Sequence, residues 1–401
     1  MLPRTLASPI RRYRRQYPVV AIVGPRQSGK TTLARHLFPG HRYLSMENLD
    51  TRHMAEDDPR GFLDDNGGNL ILDEIQRVPS IFSYLQERVD FEDSPSSYVL
   101  TGSQQFLLME RVTQSLAGRI ATYQLYPFTL NELRRARLDR DMDAILQIKT
   151  VPGGDGEEED LCRILFSGMY PRIHDKRLDP EKWIENYILT YVERDIRSLV
   201  NISNLKTFET FIKICASMSG QLVNQAAISN AAGISQPTVK KWLSLMEASG
   251  IVFFLRPHHR NFKKRLIKTP KLYFVDTGVL SSLLSIRNPG QLKTHPLFGN
   301  IFETFIISEF YKRIHHIGER PHLYFWRDRT GNEIDLIIES GSRIIPIEIK
   351  SSRTYSPAFK AGLSRWMRLE GNTARKGFVL YRGRETVGKT SDIAALPWRR
   401  M

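Results

Sequence analysis

The sequence has few cysteines and lacks long apolar runs. Its 401 residues include two cysteines, Cys162 and Cys215, without CxxC spacing, and no secretory apolar segment is apparent. These features predict reduced thiols and favour a cytoplasmic protein over a secreted one. No run of about 18 apolar residues occurs, so we expect no transmembrane helix and no membrane partner.

Acidic residues are also fewer than basic ones, with 43 Asp and Glu against 58 Lys and Arg and a formal charge of +15. This excess predicts a polyanionic partner, with nucleic acid favoured over an anionic membrane surface. The Arg-rich opening could imitate a transit peptide, but the strand that follows at once favours a basic amphipathic helix. At roughly 150 residues per domain, the chain length predicts two to four domains.

A glycine-containing stretch between an apolar strand at 18–23 and a helix at 31–38 fits the pattern G-x-x-x-x-G-K-[ST]. Glycines there let backbone N–H groups surround phosphate oxygens, and the helix N-terminus adds positive potential. We expect Lys30 to reach the β- and γ-phosphates and the Thr31 hydroxyl to ligate Mg²⁺, since a chance turn would lack this strand and helix. The predicted loop residues are Gly24, Pro25, Arg26, Gln27, Ser28, Gly29, Lys30, Thr31 and Thr32.

Residues 69–74, Asn-Leu-Ile-Leu-Asp-Glu, form an apolar run that ends in two carboxylates. Parallel strands present their carboxyl ends to the ligand, so Asp73 would hold Mg²⁺ and Glu74 would orient and deprotonate the attacking water. A buried strand that ends in solvated acids would show the same pattern. The phosphate-binding pattern earlier in the chain favours the catalytic interpretation.

Two later positions are candidates for sensing or completing the nucleotide site. A strand at 97–103 ends in small polar residues, where Ser103 or Gln104 would contact the γ-phosphate. Arg119 follows a predicted helix, in a region where an arginine finger would reach a neighbouring subunit. An exposed surface arginine is the alternative interpretation of Arg119.

Together these segments resemble the AAA+ ATPases. The stretches Gly-Pro-Arg-Gln-Ser-Gly-Lys-Thr-Thr, Leu-Asp-Glu-Ile-Gln and Ser-Leu-Ala-Gly-Arg resemble, more narrowly, a bacterial and archaeal family with a C-terminal domain of formerly unknown function. Residues 187–197 and 272–278 are similar to later blocks of that family. The resemblance implies ATP and Mg²⁺ as cofactors, an AAA+ core over 1–150 and a homo-oligomer, with a hexameric ring as the expected form, without fixing a substrate.

The middle of the chain contains an acidic connection at 153–160 and then apolar residues at helical spacing, which predict a helical lid over 151–205. Over 206–290, a helix, a turn and a second helix precede a basic hairpin, and this order resembles a winged helix. A module used only for packing or oligomerisation is the alternative to DNA contact. The predicted phosphate-contacting residues are Lys240, Lys241, Arg260, Lys263, Lys264, Arg265 and Lys268.

Residues 291–401 predict the order α-β-β-β-α-β, in which the first helix carries Glu303. Asp335 lies within one strand, and Glu348-x-Lys350 ends the next, with the acid and the base on one face. This constellation resembles the restriction-endonuclease-like, or PD-(D/E)xK, superfamily. The resemblance implies Mg²⁺ or Mn²⁺ on Asp335 and Glu348, with Glu303 assisting and Lys350 positioning or deprotonating the water. Glu-x-Lys alone is common in alternating strands.

The sequence therefore predicts an α/β multidomain protein: an AAA+ core, a helical lid, a winged helix and a nuclease-like domain. We expect a Mg²⁺-dependent ATPase that binds duplex or branched DNA and cleaves phosphodiesters. A nucleotide-controlled regulatory protein with an inactive nuclease-like domain, or an ATPase that remodels a protein, are the alternatives. The predicted catalytic residues are Lys30, Glu74, Arg119, Asp335, Glu348 and Lys350.

Overall fold

The computed structural model describes residues 2–92, 94–103, 116–136, 141–142, 145, 158–193, 205–258, 268–369, 371–388 and 391–401. Several predicted functional positions lie outside these ranges. They are Gln104 and the hairpin residues Arg260, Lys263, Lys264 and Arg265.

The first domain is built on a five-stranded sheet whose paired strands all run parallel, in the order β2-β3-β4-β1-β5. β1 is an interior strand that pairs with β4 and β5, so the loop that follows it lies between these neighbours at one end of the sheet. The strands are β1 (Val19–Val23), β2 (Arg42–Ser45), β3 (Leu70–Asp73), β4 (Tyr98–Gly102) and β5 (Ile120–Gln124).

Both faces of this sheet are covered, as expected for parallel strands that are apolar at every position. Val19, Ala21 and Val23 of β1 belong to one buried cluster, and the alternate residues Val20 and Ile22 belong to another. This alternation follows from the two-residue period of a strand. The helices of the domain are α1 (Ala7–Tyr13), α2 (Lys30–Leu37), α3 (Leu49–Asp57), α4 (Pro59–Asn66) and α5 (Ile81–Glu92).

Helices make up most of the described residues between 130 and 248, and a helical lid over 151–205 stays a prediction. Gly233 has a φ of 65° and ends one helix, and the Ser235 side chain caps the next by accepting from the Thr238 N–H. The predicted helix-turn-helix is therefore present. The helices are α6 (Leu130–Leu133), α7 (Glu158–Ser167), α8 (Pro171–Lys176), α9 (Pro180–Tyr187), α10 (Leu205–Ser217), α11 (Gln225–Ala232) and α12 (Gln236–Ala248).

The C-terminal sheet is mixed and has seven strands in the order β12-β11-β10-β9-β8-β6-β7. Its central hairpin, β9 and β10, is antiparallel, while β10, β11 and β12 run parallel. The strands are β6 (Val252–Pro257), β7 (Lys271–Phe274), β8 (Leu323–Arg327), β9 (Glu333–Ser340), β10 (Arg343–Lys350), β11 (Gly377–Tyr381) and β12 (Ile393–Pro397).

The two strands predicted to form the wing do pair with each other in antiparallel fashion. However, β6 also pairs with β8, through Arg256 with Tyr324 and Pro257 with Phe325, so both strands extend the C-terminal sheet. A domain boundary near residue 290 stays a prediction. The hairpin predicted as a wing is therefore part of the C-terminal sheet, and the winged helix stays a prediction.

One long helix connects the C-terminal sheet to the first domain. It is α15 (Phe298–His316), which follows α13 (Thr277–Leu283) and α14 (Pro289–Leu292) and precedes α16 (Ala361–Met367). Most of its residues are buried, because it carries apolar side chains around its whole circumference. Within the described residues, no helix has the combination of length and hydropathy that a membrane span requires.

Candidate active sites

The loop after β1 has the backbone shape that phosphate binding requires. Gly24 has a φ of 147°, and a Cβ atom there would lie 2.1 Å from the Leu125 carbonyl oxygen. Gly29 has a φ of 95° and immediately precedes α2. Only glycine suits these two positions, and the free N–H groups at the start of α2 supply donors for an anion.

The Lys30 ammonium lies inside this loop and donates to the carbonyl oxygens of Gly24 at 3.0 Å and Pro25 at 2.9 Å. Burial lowers the pKa of Lys30, and the carboxylates of Glu74 and Asp73 oppose that change. The charge is therefore held at the point where the predicted phosphate groups would need it.

The Asp73 carboxylate joins three strands and the start of α2. It accepts from the Thr31 hydroxyl at 2.8 Å and from the Tyr43 hydroxyl at 2.8 Å, and also from the Thr101 hydroxyl. The sequence predicted Thr31 and Asp73 as Mg²⁺ ligands, and it gave no role to Tyr43 or Thr101. Hydroxyl and carboxylate oxygens are the ligands that Mg²⁺ prefers, so Thr31 and Asp73 fit the expected ion.

Glu74 has a left-handed backbone conformation, with φ 54° and ψ 42°, which is uncommon and costly for a residue with a side chain. Its Oε2 accepts from Gln76 Nε2 at 2.6 Å and from the Ser103 hydroxyl at 2.8 Å. Burial raises the pKa of Glu74, but Lys30 and these two donors outweigh it, and the net shift is downward. Glu74 is therefore an ionised, fixed carboxylate.

Ser103 was predicted to contact the γ-phosphate, and in the structure its hydroxyl and its N–H both point to Glu74. The side chain thus positions the predicted base. Contact with a phosphate stays a prediction, and the alternative residue, Gln104, lies outside the described part of the chain.

Arg119 does not approach the phosphate-binding loop of its own chain. It precedes β5, and its carbonyl accepts from Val19 at the start of β1, whereas the loop follows the other end of β1. Five strand residues separate these ends by roughly 13 Å. The partly exposed guanidinium forms an ion pair with Asp90, with Nη2 to Oδ2 at 2.9 Å. A role for Arg119 in a neighbouring subunit stays a prediction.

A buried arginine of the Arg-rich N-terminal segment, to which the sequence assigned no role at the nucleotide site, contacts the phosphate-binding loop. Arg4 donates to the carbonyl oxygens of Ser28 at 2.8 Å and Tyr126 at 2.5 Å, and its Nε lies 3.4 Å from Glu132 Oε1. Its guanidinium also lies 4.8 Å from the centre of the Phe128 ring. The hydrogen bond from Arg4 to the Ser28 carbonyl oxygen fixes one carbonyl group of the phosphate-binding loop.

The C-terminal end of α15 completes this buried network. His316 Nε2 accepts from the Tyr126 N–H at 3.1 Å, so the proton of the neutral ring lies on Nδ1, 3.2 Å from Glu132 Oε1. Burial lowers the pKa of His316 and keeps the ring neutral. Burial raises the pKa of Glu132, but Arg4 and His316 outweigh it, and the pKa lies far below its ordinary value.

The C-terminal candidate site lies where β9 and β10 pair. The register joins Leu336 to Ile347, and its continuation places Asp335 opposite Glu348. Asp335 Oδ2 accepts from the Ile349 N–H at 2.7 Å, and Glu348 Oε1 accepts from Lys350 Nζ at 2.6 Å. The structure therefore brings together the predicted acid, acid and lysine.

The positive charge near these two carboxyl groups does not offset their burial and mutual repulsion. Burial raises the pKa of Asp335 well above its ordinary value, and the neighbouring Glu348 raises it further. Burial also raises the pKa of Glu348, although Lys350 opposes it. Glu348 Oε2 is buried without a hydrogen-bond partner. An orphaned carboxylate oxygen opposite a second carboxylate fits a divalent cation.

Glu303, the predicted third ligand, is held by other residues. Its Oε1 accepts from Lys271 Nζ at 3.1 Å and from the Tyr273 hydroxyl at 2.6 Å. Lys271 also forms an ion pair with Glu333 at the start of β9. In the described part of the chain, no three acidic, histidine or cysteine side chains meet as a metal-ligand set. The role of Lys271 was not predicted from the sequence. A lysine within the apolar strand 271–274 is the feature that could have indicated its pairing with buried carboxylates.

The helix-turn-helix presents the predicted lysines to solvent. Lys240 and Lys241 of α12 are exposed, as is Lys268 before β7.

Asp276, in the segment 272–278 that resembles the family, is buried and caps α13, where it accepts from the N–H groups of Gly278 and Val279. Asp276 also accepts from the Met169 N–H at 2.7 Å, which gives it a structural role.

Comparison with protein families divides the chain into three matched regions. Residues 16–134 match the model described as an AAA domain. Residues 158–290 and 298–401 match two models, each described as a domain of unknown function (DUF8612 and DUF4143). The first match agrees with the loop and the Thr31–Asp73 pair, so the N-terminal region is an AAA-type P-loop ATPase domain. The other two descriptions name no activity.

Similar proteins include uncharacterized proteins of Mycobacterium tuberculosis and Mycobacterium bovis. Each is 29% identical over 402 residues, an alignment that covers 98% of this chain and 83% of the relative. Among solved structures, the Walker-type ATPase paby2304 of Pyrococcus abyssi aligns at 13% identity with a TM-score of 0.44, over 69% of this chain and 94% of its own. AMPPCP-bound DnaA from Aquifex aeolicus aligns at 15% identity with a TM-score of 0.24, over 59% and 85%.

Proposed function

We propose that this protein is a Mg²⁺-dependent AAA+ ATPase that binds duplex or branched DNA and cleaves phosphodiester bonds in a nuclease-like C-terminal domain. The observation that carries the cleavage proposal is the cross-strand grouping of Asp335, Glu348 and Lys350. These residue types suit metal-assisted hydrolysis of a phosphodiester. The AAA domain supplies the ATPase activity.

Each residue of the P-loop site has a distinct role in this proposal. Lys30 would neutralise phosphate charge, and Thr31 and Asp73 would hold Mg²⁺, which would supply further positive charge to the phosphate groups. Glu74 is ionised and fixed, so it accepts a proton from the attacking water. Ser103 holds the Glu74 carboxylate in the required position.

In the C-terminal site, Asp335 and Glu348 would hold one divalent ion, Mg²⁺ or Mn²⁺. When bound, the ion polarises the phosphate and lowers the pKa of the attacking water. The Lys350 ammonium, which contacts Glu348 at 2.6 Å, orients that carboxylate and supports charge that develops on the phosphate.

DNA engagement is supported by charge and exposure. The chain carries a formal charge of +15, and Lys240 and Lys241 extend from the second helix of the helix-turn-helix into solvent. Such lysines commonly contact phosphates, which makes DNA binding strongly dependent on salt.

The helix-turn-helix also lies close to the P-loop. A Cβ atom at Gly250, two residues after the end of α12, would lie 3.0 Å from Pro25 Cδ.

A homo-oligomeric ring, with a hexamer as the expected form, completes the proposal. The Arg119 guanidinium is partly exposed. It lies near the start of β5, at the end of the sheet opposite the phosphate-binding loop of its own chain. This position suits a contact with the nucleotide site of a neighbouring subunit. Each site would then be complete only in the assembly.

Cleavage assays on duplex, forked and four-way DNA, with Mg²⁺ or Mn²⁺, test the nuclease proposal. Asp335→Asn and Lys350→Ala should abolish cleavage and leave ATP hydrolysis nearly unchanged. Asp392→Asn, which alters an exposed acid in the same domain, is the matched control and should cut normally. A wild-type protein that cuts none of these substrates, or variants that cut equally well, would contradict the assignment.

A second candidate function is favoured by one observation, the ion pairs of Lys271 with Glu303 and Glu333. They withdraw Glu303 from the acidic pair on β9 and β10. The C-terminal domain would then be an inactive, nuclease-like platform for DNA or a protein under nucleotide control. Nucleotide-dependent DNA binding without cleavage in any assay above would support this alternative.

A further inference from the structure

A buried lysine lies among the carboxylates of the C-terminal site. Lys271 enters from β7, on the hairpin that precedes the nuclease-like elements in sequence, and its side chain is nearly inaccessible to solvent. Its ammonium contacts Glu303 Oε1 at 3.1 Å and pairs with Glu333. A single cation therefore joins the long helix α15 to the first residue of β9.

The charges in this cluster do not balance. Four carboxylates, from Glu303, Glu333, Asp335 and Glu348, lie near three cations, the ammonium groups of Lys271 and Lys350 and the Arg327 guanidinium, so the fully ionised cluster carries a net charge of about −1. The Arg327 guanidinium lies 3.2 Å from Glu333 at the exposed rim of the cluster. Buried like charges are costly without a counter-ion. The residual charge is concentrated on the carboxylates that Lys271 does not touch.

The Lys271 ammonium and the Asp335–Glu348 pair divide the cluster into two halves. In one half, Glu303 is satisfied by Lys271 and by the Tyr273 hydroxyl at 2.6 Å. In the other, Glu348 Oε2 is buried and has no hydrogen-bond partner. The half with Glu303 already holds the Lys271 ammonium. The half with Asp335 and Glu348 offers the unpaired Glu348 Oε2 as a ligand for a cation.

We propose that Lys271 takes the place of a second divalent ion, so that the C-terminal site binds one divalent ion, between Asp335 and Glu348. The inference rests on the proposed nuclease-like site and assigns its metal stoichiometry. Lys271 acts here as a positioning residue. Its fixed charge holds Glu303 and Glu333 apart from the ion and restricts the site to a single metal.

Counting bound Mn²⁺ by the EPR signal of the free ion tests this inference without measuring cleavage. All proteins carry Asp73→Asn to remove the carboxylate of the P-loop site, and no nucleotide is added. We expect one Mn²⁺ per chain with Lys271 present and two with Lys271→Met, because Glu303 and Glu333 lose the cation that they share. Asp335→Asn should weaken the first ion at least tenfold. An unchanged count in Lys271→Met, or two ions with Lys271 present, would overturn the proposal.

Thermal unfolding with EDTA or Mn²⁺ separates this role from ordinary packing. Lys271→Met should lower the melting temperature in EDTA and regain most of the loss in Mn²⁺. Lys312→Met is the matched control, because Lys312 is also buried, pairs with Glu309 and lies on α15 next to Phe128. It should lose stability without recovery in Mn²⁺. A Lys271→Met protein that stays unfolded in both conditions would contradict the proposal.

These outcomes are distinguishable from failure of the proposed nuclease function. If the protein binds one Mn²⁺, gains a second with Lys271→Met and cuts no DNA, only the cleavage proposal is contradicted. If it cuts DNA while the number of bound Mn²⁺ ions is the same in Lys271→Met, only the proposed role of Lys271 is contradicted.

Discussion

Arg4→Met should destabilise the protein strongly, although Arg4 lies outside every recognised motif. The substitution keeps an apolar stem against Phe128 and removes the guanidinium that contacts Glu132 and the carbonyl oxygens of Ser28 and Tyr126. Removal of one partner of a buried ion pair costs about 3–5 kcal/mol. Since 1 kcal/mol shifts the melting temperature of a domain of 150–250 residues by roughly 2–4 °C, the expected fall is ~6–20 °C.

The assay is thermal unfolding of wild type, Arg4→Met and the control Arg11→Met, which alters an exposed arginine on α1. Glu132 has a depressed pKa, so its stabilising contribution is present above the unfolded-state value of about 4.3 and is lost as the pH falls below it. The difference between wild type and Arg4→Met should therefore shrink at acidic pH. A shift below 2 °C at neutral pH, or an equal shift in Arg11→Met, would refute this reasoning.

Three further predictions concern the active sites and the DNA-binding surface. Ser103→Ala should lower the rate of ATP hydrolysis with little change in ATP affinity and move the acid limb of the pH profile upward, because the predicted base loses a donor that lowers its pKa. Arg119→Ala subunits mixed with Lys30→Ala subunits should recover activity, and no recovery despite proven co-assembly would exclude a role in trans. Lys240→Ala combined with Lys241→Ala should flatten the log–log salt dependence of duplex binding by about 0.9 for each phosphate that the variant no longer neutralises, and an unchanged slope would exclude these lysines from DNA binding.

The elements of the first site could be predicted because their chemistry is local in sequence. Lys30 and Thr31 are adjacent, Asp73 and Glu74 end one apolar strand, and parallel strands bring their carboxyl ends to one edge. The alternating burial of Val19–Val23 likewise follows from strand periodicity. These features depend on few tertiary contacts.

The network behind the loop could not be predicted in the same way. Arg4 and Glu132 are 128 positions apart, and no pattern in either segment indicates that they meet. Their contact arises because the residues before α1, Glu132 of α6 and the end of α15 meet at the segment that follows β5. The position of Lys271 depends similarly on β6 joining the C-terminal sheet, whereas the sequence pattern indicated a separate wing.

The proposed ATP hydrolysis depends most directly on Glu74 as its base. Glu74→Gln tests this role because the amide keeps the shape of the carboxylate and loses its charge. Nucleotide affinity and phosphate release should be measured on the same preparation, with Lys30→Ala as the variant expected to lose tight binding. We predict that Glu74→Gln binds ATP within about threefold of wild type and hydrolyses it at least ~100-fold more slowly. Hydrolysis by Glu74→Gln at the wild-type rate would contradict the account.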